Sequence, residues 1–245
     1  MEINTIVETG AAALLFAAVF LFGGRVHPLR AVVRDRRGLI SFSAGMAMAY
    51  VFVHLMPELA ATRRAFAAGT SLPLRYEGMA IYFCALLGFL VFYGLEHLSA
   101  RLRESGSEDR EAQAFRLHVG GFAAYAWLVA YLLVNNLEET AGTTVLYALA
   151  IGFHFLAVDH ALREEHGDAY QRSGRFVLAG MCVLGWAAGQ WFVLPQSVLA
   201  LLVAFLSGAI IMNSTIMELP SEKDGRFLPF MIGGLLYGLI LLPLG

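Results

Sequence analysis

Eight stretches of apolar residues, each about the length of a membrane-spanning helix, alternate along the chain with polar connectors. About 20 apolar residues in a helix cross the hydrocarbon core of a bilayer, where only helices and closed barrels satisfy their backbone polar groups. The pattern predicts an all-α polytopic membrane protein with a single transmembrane domain over residues 1–245. The predicted spans are about 4–24, 39–61, 76–98, 117–137, 143–163, 174–193, 196–218 and 227–244.

Composition agrees with this class of protein. Of the 245 residues, 58% are hydrophobic and 15% are charged, whereas about 25% are charged in an average soluble domain. The first span begins after Glu2 and is followed by its positive charges, unlike a signal peptide, so we expect it to be retained. Cys84 and Cys182 fall inside predicted spans and are expected to be free thiols. We expect the lipid bilayer, and no nucleic acid, as a partner.

Basic residues are concentrated in alternate connectors, which orients the predicted bundle. With the N-terminus outside, only Arg63, Arg64 and Arg75 lie in outside connectors, and the other 14 of the 17 Lys and Arg residues lie inside. The positive-inside rule therefore predicts that both termini lie outside the cytoplasm. We expect the protein to be an integral protein of the inner cell membrane. The longest connector, about 99–116, is highly charged and is predicted to be a mobile cytoplasmic loop.

The second span contains three residues that are costly in a bilayer. His54 and Glu58 are ionisable, and such side chains face protein or water rather than lipid. Pro57 leaves the carbonyl of Val53 without its helical donor. Because His54 and Glu58 are four residues apart, they share one helix face. An imidazole, a carboxylate and a carbonyl on one face form a plausible cation site, and the alternative is a buried hydrogen bond that fastens helices.

The fifth span places His154 near the middle of the membrane, and Asp159 and His160 nearer the cytoplasm. Imidazole and carboxylate ligands suit zinc and similar divalent ions. With His54 and Glu58 at the outer mouth, these residues would form a ladder across the membrane. Two alternatives are an Asp159–Arg163 ion pair and a purely interfacial role for the polar residues at helix ends. The other candidate ligands are Glu218, Glu164, Asn213 and His118.

Two segments share a spacing that suggests an internal repeat. Gly45 precedes Pro57 by twelve residues, and Gly208 precedes Pro220 by twelve. The spans that follow share a Tyr-Gly-Leu sequence, which begins at Tyr93 and at Tyr237. The predicted topology makes the repeat inverted, as in many secondary transporters. The alternative is a chance match between small and aliphatic residues.

Residues 43–58, which end in His54-Leu-Met-Pro57-Glu58, resemble the second helix of the ZIP (Zrt/Irt-like) family of divalent metal transporters. Residues 88–97 and 207–220 are similar to the family's third and seventh helices. The resemblance implies a 3+2+3 arrangement of eight helices with inverted outer triplets, and a homodimer. It also implies a divalent metal ion as the transported substrate, zinc first and iron or manganese next, and no organic cofactor.

The chain departs from the family where the family binds its transported metal. The family's fourth helix normally carries a His-Asn-x-x-Asp-Gly type of motif and its fifth a His-Glu-x-Pro-Glu type. Here the fourth span offers His118, near its cytoplasmic end, and Tyr125, while the fifth span has no internal proline. A binuclear centre of the usual kind is therefore not expected.

The sequence thus predicts a divergent ZIP-like transporter that is not an enzyme. His54 and Glu58 would take up or release the ion, His154 would bind it at the midplane, and Asp159 and His160 would form an inner station. One alternative is a non-transporting ZIP-like sensor or scaffold. Another is an intramembrane metal-dependent hydrolase, which is disfavoured because no span contains a His-Glu-x-x-His helix.

Overall fold

The computed structural model describes residues 3–25, 36–68, 74–135, 141–215 and 226–242, and all regular structure within these ranges is helical. A 3₁₀ turn, Gly23–Arg25, follows the first helix. Two π-helical turns, Tyr50–Leu55 and Tyr170–Gly174, join α2 to α3 and α6 to α7. The helices are α1 (Ile3–Phe22), α2 (Arg36–Ala49), α3 (Met56–Ala68), α4 (Leu74–Glu104), α5 (Glu108–Asn135), α6 (Ala141–Ala169), α7 (Arg175–Trp191), α8 (Gln196–Asn213) and α9 (Phe227–Leu241).

Several helices have the length and composition of membrane spans, as the sequence predicts. Helix α9 is apolar but shorter. Large apolar side chains such as Leu14, Phe83 and Leu235 are exposed on the bundle surface, where a bilayer would solvate them. The five helical segments long and apolar enough to cross a membrane are Thr5–Phe22, Ser41–Arg64, Met79–Glu104, Glu108–Asn135 and Gln196–Asn213.

The charged connector that the sequence predicts as a mobile loop is largely helical. Helix α4 continues to Glu104, and α5 begins at Glu108. Arg, Glu, Ala, Gln and Leu, which dominate this segment, are strong helix formers. Gly106 provides the reversal because its φ of 65° lies in the left-handed region, which glycine adopts without steric cost. The two helices therefore form a hairpin that extends beyond the predicted spans.

Helix α5 occupies the interior of the bundle, with 72% of its span buried against 22% for the span in α4. It packs on α4 and α7, while α1 packs on α6 and α7. Helix α2 packs on α9, α4 packs on α8, and α3 packs on both α4 and α8. Helices α5 and α6 meet over a short length only.

Helices α2 and α9 meet at glycines, where their backbones touch. A Cβ added at Gly45 would collide with the carbonyl oxygen of Phe230. One added at Gly233 would collide with the carbonyl oxygen of Phe42. Small residues allow such close approach in membrane bundles. We call the close approach at Gly45 and Gly233 the α2–α9 glycine contact.

Helices α8 and α4 meet in the same manner. A Cβ added at Gly208 would collide with the carbonyl oxygen of Ala85, and one added at Gly88 with that of Phe205. On all four helices, the contacting carbonyl and the contacting glycine are three residues apart. The α8–α4 glycine contact therefore has the same internal spacing as the α2–α9 glycine contact.

The Tyr-Gly-Leu match in the sequence is one residue out of this register. The two glycine contacts relate Gly88 to Gly233, 145 positions apart, whereas the sequence match relates Gly94 to Gly238, 144 apart. A Cβ added at Gly94 would meet no described atom within 4 Å. The register of the glycine contacts instead aligns Phe92 with Tyr237, and both are buried.

Candidate metal sites

His54 lies on the π-helical turn Tyr50–Leu55, which interrupts the second span. Pro57 cannot donate a backbone hydrogen bond, and its ring crowds the carbonyl four residues earlier. The helix widens before the proline, so that the N–H of Met56 bonds to the carbonyl of Val51, five residues back. Such π turns are rare in proteins, and those that occur are often found at functional sites. The sequence signal for this distortion is Pro57.

His54 and Glu58 face each other, as their spacing predicts. Nε2 of His54 lies 3.6 Å from Oε2 of Glu58, and the side chains are 18% and 28% exposed. This separation is too long for a hydrogen bond. It is close to the roughly 3.3 Å between two ligands that each lie 2.0–2.1 Å from a tetrahedral zinc ion. The pair could therefore hold a divalent ion between them.

A cavity of about 40 Å³, here called the His54 cavity, adjoins this pair. A cavity needs about 10–15 Å³ to hold one water molecule, so there is room for an ion with a few waters. The hydroxyl of Ser207 in its wall donates to the carbonyl of Val203 at 2.8 Å. The lining residues are Tyr50, His54, Leu55, Glu58, Leu132, Leu133, Tyr147, Val203, Leu206, Ser207 and Ile210.

His154 is buried in the middle of α6 and is bonded to α5. Its Nε2 lies 2.8 Å from the hydroxyl of Tyr125. A second cavity of about 10 Å³, here called the His154 pocket, is lined by His154, Tyr50, Ile210 and Tyr237 among others. This volume suits a single water or a dehydrated ion.

Tyr50 and Ile210 line both cavities. They form a common wall between the His54 cavity and the His154 pocket. Tyr50 is also the first residue of the π turn, and its ring centroid lies 5.2 Å from that of His54. His54 and Glu58 thus line one cavity and His154 lines another, and the two cavities share Tyr50 and Ile210.

Asp159 lies on another face of α6 from His154 and has strong partners of its own. Both of its carboxylate oxygens are 2.9 Å from a guanidinium nitrogen of Arg163. The hydroxyl of Tyr170 donates to the same carboxylate at 2.7 Å. This is the ion pair that the sequence offered as an alternative to a metal ligand. Burial makes it a structural link between α6 and the turn that precedes α7.

His160 pairs with Glu164 at the surface of the bundle. Nε2 of His160 lies 3.2 Å from Oε1 of Glu164, and the side chains are 38% and 63% exposed. The pair has the same spacing as His54 and Glu58 but no cavity beside it among the described pockets. This geometry is that of an interfacial pair.

Two further candidates give little information about a site. Glu218 lies outside the described residues. Asn213 is buried at the end of α8, and its amide atoms have no hydrogen-bond partner within the described part of the chain.

His118 lies in a dense cluster of ionisable side chains that the sequence analysis did not assemble. Nδ1 of His118 is 3.1 Å from Nε2 of His166 and 3.1 Å from Oε2 of Glu165. Nε2 of His166 lies 4.0 Å from the same oxygen of Glu165. These three residues could each offer one atom to a metal ion.

Two more charged side chains complete this group. Oε2 of Glu96, on α4, lies 2.9 Å from Nε2 of His118. The guanidinium of Arg103, also on α4, lies 2.6 Å from Oε2 of Glu165. We call Glu96, Arg103, His118, Glu165 and His166 the His118 cluster. It lies where α4 ends and α5 begins, against the last turns of α6.

The cluster lowers the pKa values of Glu165 and His166, its two members on α6. Burial and the neighbouring His118 lower the pKa of His166 to about 4. Burial acts to raise the pKa of Glu165, but the hydrogen bond to His118 and the charges of His118 and Arg103 outweigh it and hold the pKa below its usual value. Around neutral pH, His166 is therefore uncharged and Glu165 is ionised.

No family model, curated protein or solved structure matches this chain. The functional argument therefore depends on the geometry of these side chains. His54 and Glu58 supply two ligands beside one cavity, His154 supplies one beside another, and the His118 cluster supplies three that converge. A sequence signal for the cluster did exist, because Glu96, His118 and Glu165-His166 all fall at the same end of successive antiparallel helices.

Proposed function

We propose that the protein is a divergent ZIP-like membrane transporter of a divalent metal ion, with zinc the first candidate and iron or manganese next. The observation that carries this proposal is the pair of adjoining cavities. One has His54 and Glu58 in its wall, the other has His154, and Tyr50 and Ile210 line both.

The ligand types and the small volumes agree with a cation that loses its water on the way. Imidazole and carboxylate groups are zinc ligands, and ionisable residues inside a membrane bundle typically mark ion pathways. An ion with a few waters fits the His54 cavity, whereas the His154 pocket accepts only a dehydrated one. His154 and the Tyr125 hydroxyl beside it would replace lost water ligands.

Tyr50 would act as the gate between the two cavities. The π turn and Pro57 replace regular helical hydrogen bonding next to Tyr50, which makes this part of the span the easiest to deform. A small rotation of the turn would move the Tyr50 ring out of the common wall. The ion would then pass from His54 and Glu58 to His154.

The eight-span inverted repeat belongs to the same proposal. The repeat would exchange α1 with α7, α2 with α8, α4 with α9 and α5 with α6. This exchange converts the α2–α9 glycine contact into the α8–α4 glycine contact. The same exchange relates the packing of α1 on α6 to that of α7 on α5. Inverted repeats of this kind support alternating access by rocking. Outside termini, an inner cell membrane and a homodimer complete the proposal.

The inner station is the least supported part of the path. An ion that leaves His154 could use Asp159 only by displacing Arg163 and Tyr170, and His160 lies at the surface. We therefore propose His54, Glu58 and His154 as the principal ligands.

A second candidate function is a non-transporting ZIP-like sensor or scaffold. The observation that favours it is the Asp159–Arg163–Tyr170 network, which ties the inner part of α6 to the α6–α7 turn and would resist the motion that transport requires. A buried ion pair held by a third hydrogen bond is costly to break.

Zinc uptake into proteoliposomes separates the two functions. The parent should take up zinc, whereas His54→Ala and His154→Ala should lose most of the uptake. The control is His97→Ala, which removes an exposed histidine that stacks on Tyr93 outside both cavities. Equal uptake by the parent and all variants would contradict the proposed ligands. Absence of uptake by the folded parent would support the sensor or scaffold.

A further inference from the structure

We propose that His118, Glu165 and His166 bind a divalent transition-metal ion of the zinc type at a second site, distinct from the His54–His154 path, and that this ion stays resident. The proposal does not depend on transport. Its geometric basis is that three ligand atoms from two helices converge on one point.

The separations of the ligand atoms match a tetrahedral ion. Two of the three are 3.1 Å and the third is 4.0 Å. Three ligands at 2.0–2.1 Å from a tetrahedral zinc ion lie about 3.3 Å apart, so small side-chain adjustments suffice. Two imidazoles with one carboxylate form a ligand set that zinc uses with a fourth position left for water.

The hydrogen bonding around His118 supports a cation at this point. Nδ1 of His118 carries at most one hydrogen, yet it faces both the imidazole nitrogen of His166 and the carboxylate oxygen of Glu165 at 3.1 Å. One proton cannot satisfy both contacts well. A metal ion that accepts a lone pair from each of the three atoms satisfies all of them.

Glu96 lies close enough to give the outer support that metal-binding histidines usually have, although Nε2 of His118 has no aligned hydrogen-bond partner among the described residues and a small rotation of the carboxylate would be needed. A ligating imidazole typically donates its other N–H to a carboxylate, which fixes the ring and strengthens the ligand. Oε2 of Glu96 lies 2.9 Å from Nε2 of His118, the nitrogen that would not bind the metal. The His118 ring is fully buried and also contacts Phe122 at a centroid distance of 5.3 Å.

Arg103 would compete with the metal. Its guanidinium lies 2.6 Å from Oε2 of Glu165, the oxygen that would bind the ion. Within the part of the chain that the structure describes, the other charged group next to the ligands is Glu96. Metal binding would therefore require Arg103 to move from this oxygen, and the side chain is long enough and exposed enough to do so.

A resident ion would join α5 to α6, with α4 attached through Glu96. Helices α5 and α6 otherwise meet over a short length only. They also carry Tyr125 and His154, which are bonded to each other nearer the middle of the bundle. The ion would fix the distance between α5 and α6 and, through the Tyr125–His154 hydrogen bond, the position of His154 in its pocket.

Zinc titration of the full chain in lipid nanodiscs, followed by calorimetry, tests the site. The double variant His54→Ala/His154→Ala removes path ligands and should still bind one zinc ion. Adding His118→Ala or His166→Ala should weaken that binding more than the roughly 10–100-fold typical of losing an outer-shell partner. Adding His97→Ala instead should leave it unchanged. Unchanged zinc affinity in the His118 and His166 variants would overturn the proposal.

Two milder variants keep the test decisive if a histidine variant fails to fold. Arg103→Gln removes the competing charge and should tighten zinc binding. Glu96→Gln keeps the shape but weakens the support of His118, and should weaken binding by about 10–100-fold. If both variants change thermal stability and neither changes zinc affinity, the cluster is only an ion-pair network and the proposal fails.

Discussion

The proposed His54–His154 path and the His118 cluster contain the same kinds of side chain in different arrangements. Along the path, three ionisable residues are spread over two cavities, with an aromatic and aliphatic wall between them. In the cluster, five ionisable residues are linked through short contacts to His118 or Glu165, and neither described pocket lies among them. Sparse ligands suit an ion that must leave, because dense ligands bind it too tightly to release.

The largest expected effect is that a variant in one region changes zinc uptake and a variant in the other changes zinc affinity. His154→Ala should remove most zinc uptake and leave the affinity of the cluster unchanged. His118→Ala should weaken zinc binding by more than about 100-fold, beyond the loss expected for an outer-shell residue, and leave part of the uptake. Uptake into proteoliposomes and calorimetry on the same preparations measure both. If each variant lowers uptake and affinity together, the two regions form one site and the comparison fails.

The wall between the cavities is the next target. Tyr50→Ala should join the His54 cavity to the His154 pocket and raise zinc leak, at a stability cost of about 3–5 kcal/mol because a buried aromatic side chain is removed. Zinc titration of the cluster should not change. The matched control is Tyr82→Ala, since Tyr82 is exposed on α4. A folded Tyr50→Ala protein with parental zinc flux would show that Tyr50 does not limit passage.

The helix distortion around His54 can be tested at its cause. Pro57→Ala restores a backbone donor and should favour a regular helix, with a gain of up to about 3 kcal/mol in stability. We expect slower zinc uptake, because the π turn that places Tyr50 and His54 would be lost. Thermal unfolding and uptake measure the two effects. Faster uptake by the stabilised variant would contradict a role for the turn in gating.

The helical membrane class was predictable because spans follow from runs of apolar residues. Pro57 indicated that helical hydrogen bonding is lost near Val53, but the π turn that results is seen only in the structure. The helical hairpin over the charged connector was missed because high charge suggested disorder, although Arg, Glu and Ala favour helix. Glu218 and the residues around Pro220 lie outside the described ranges, so that half of the repeat stays a prediction.

The His118 cluster was missed for a different reason. Its members come from three helices, and no pair within one helix has a recognisable metal-binding spacing. Glu165 and His166 are adjacent, which directs their side chains to different parts of a helix surface. Only the packing of α4, α5 and α6 brings them to His118. Asp159 leaves the predicted ladder for a local reason, because Arg163, one turn further along α6, and Tyr170, in the turn after α6, both bond to its carboxylate.

The smallest expected effect separates a surface pair from a path ligand on the same helix. His160 and Glu164 have the spacing of His54 and Glu58, but both are exposed. An exposed pair contributes about 0.2–1 kcal/mol, so His160→Ala should barely change the melting temperature. Zinc uptake should also stay near that of the parent, in contrast to His154→Ala six residues earlier. A large loss of uptake in His160→Ala would return this residue to the path as its inner station, and would mean that the ion passes along the surface of α6 after leaving His154.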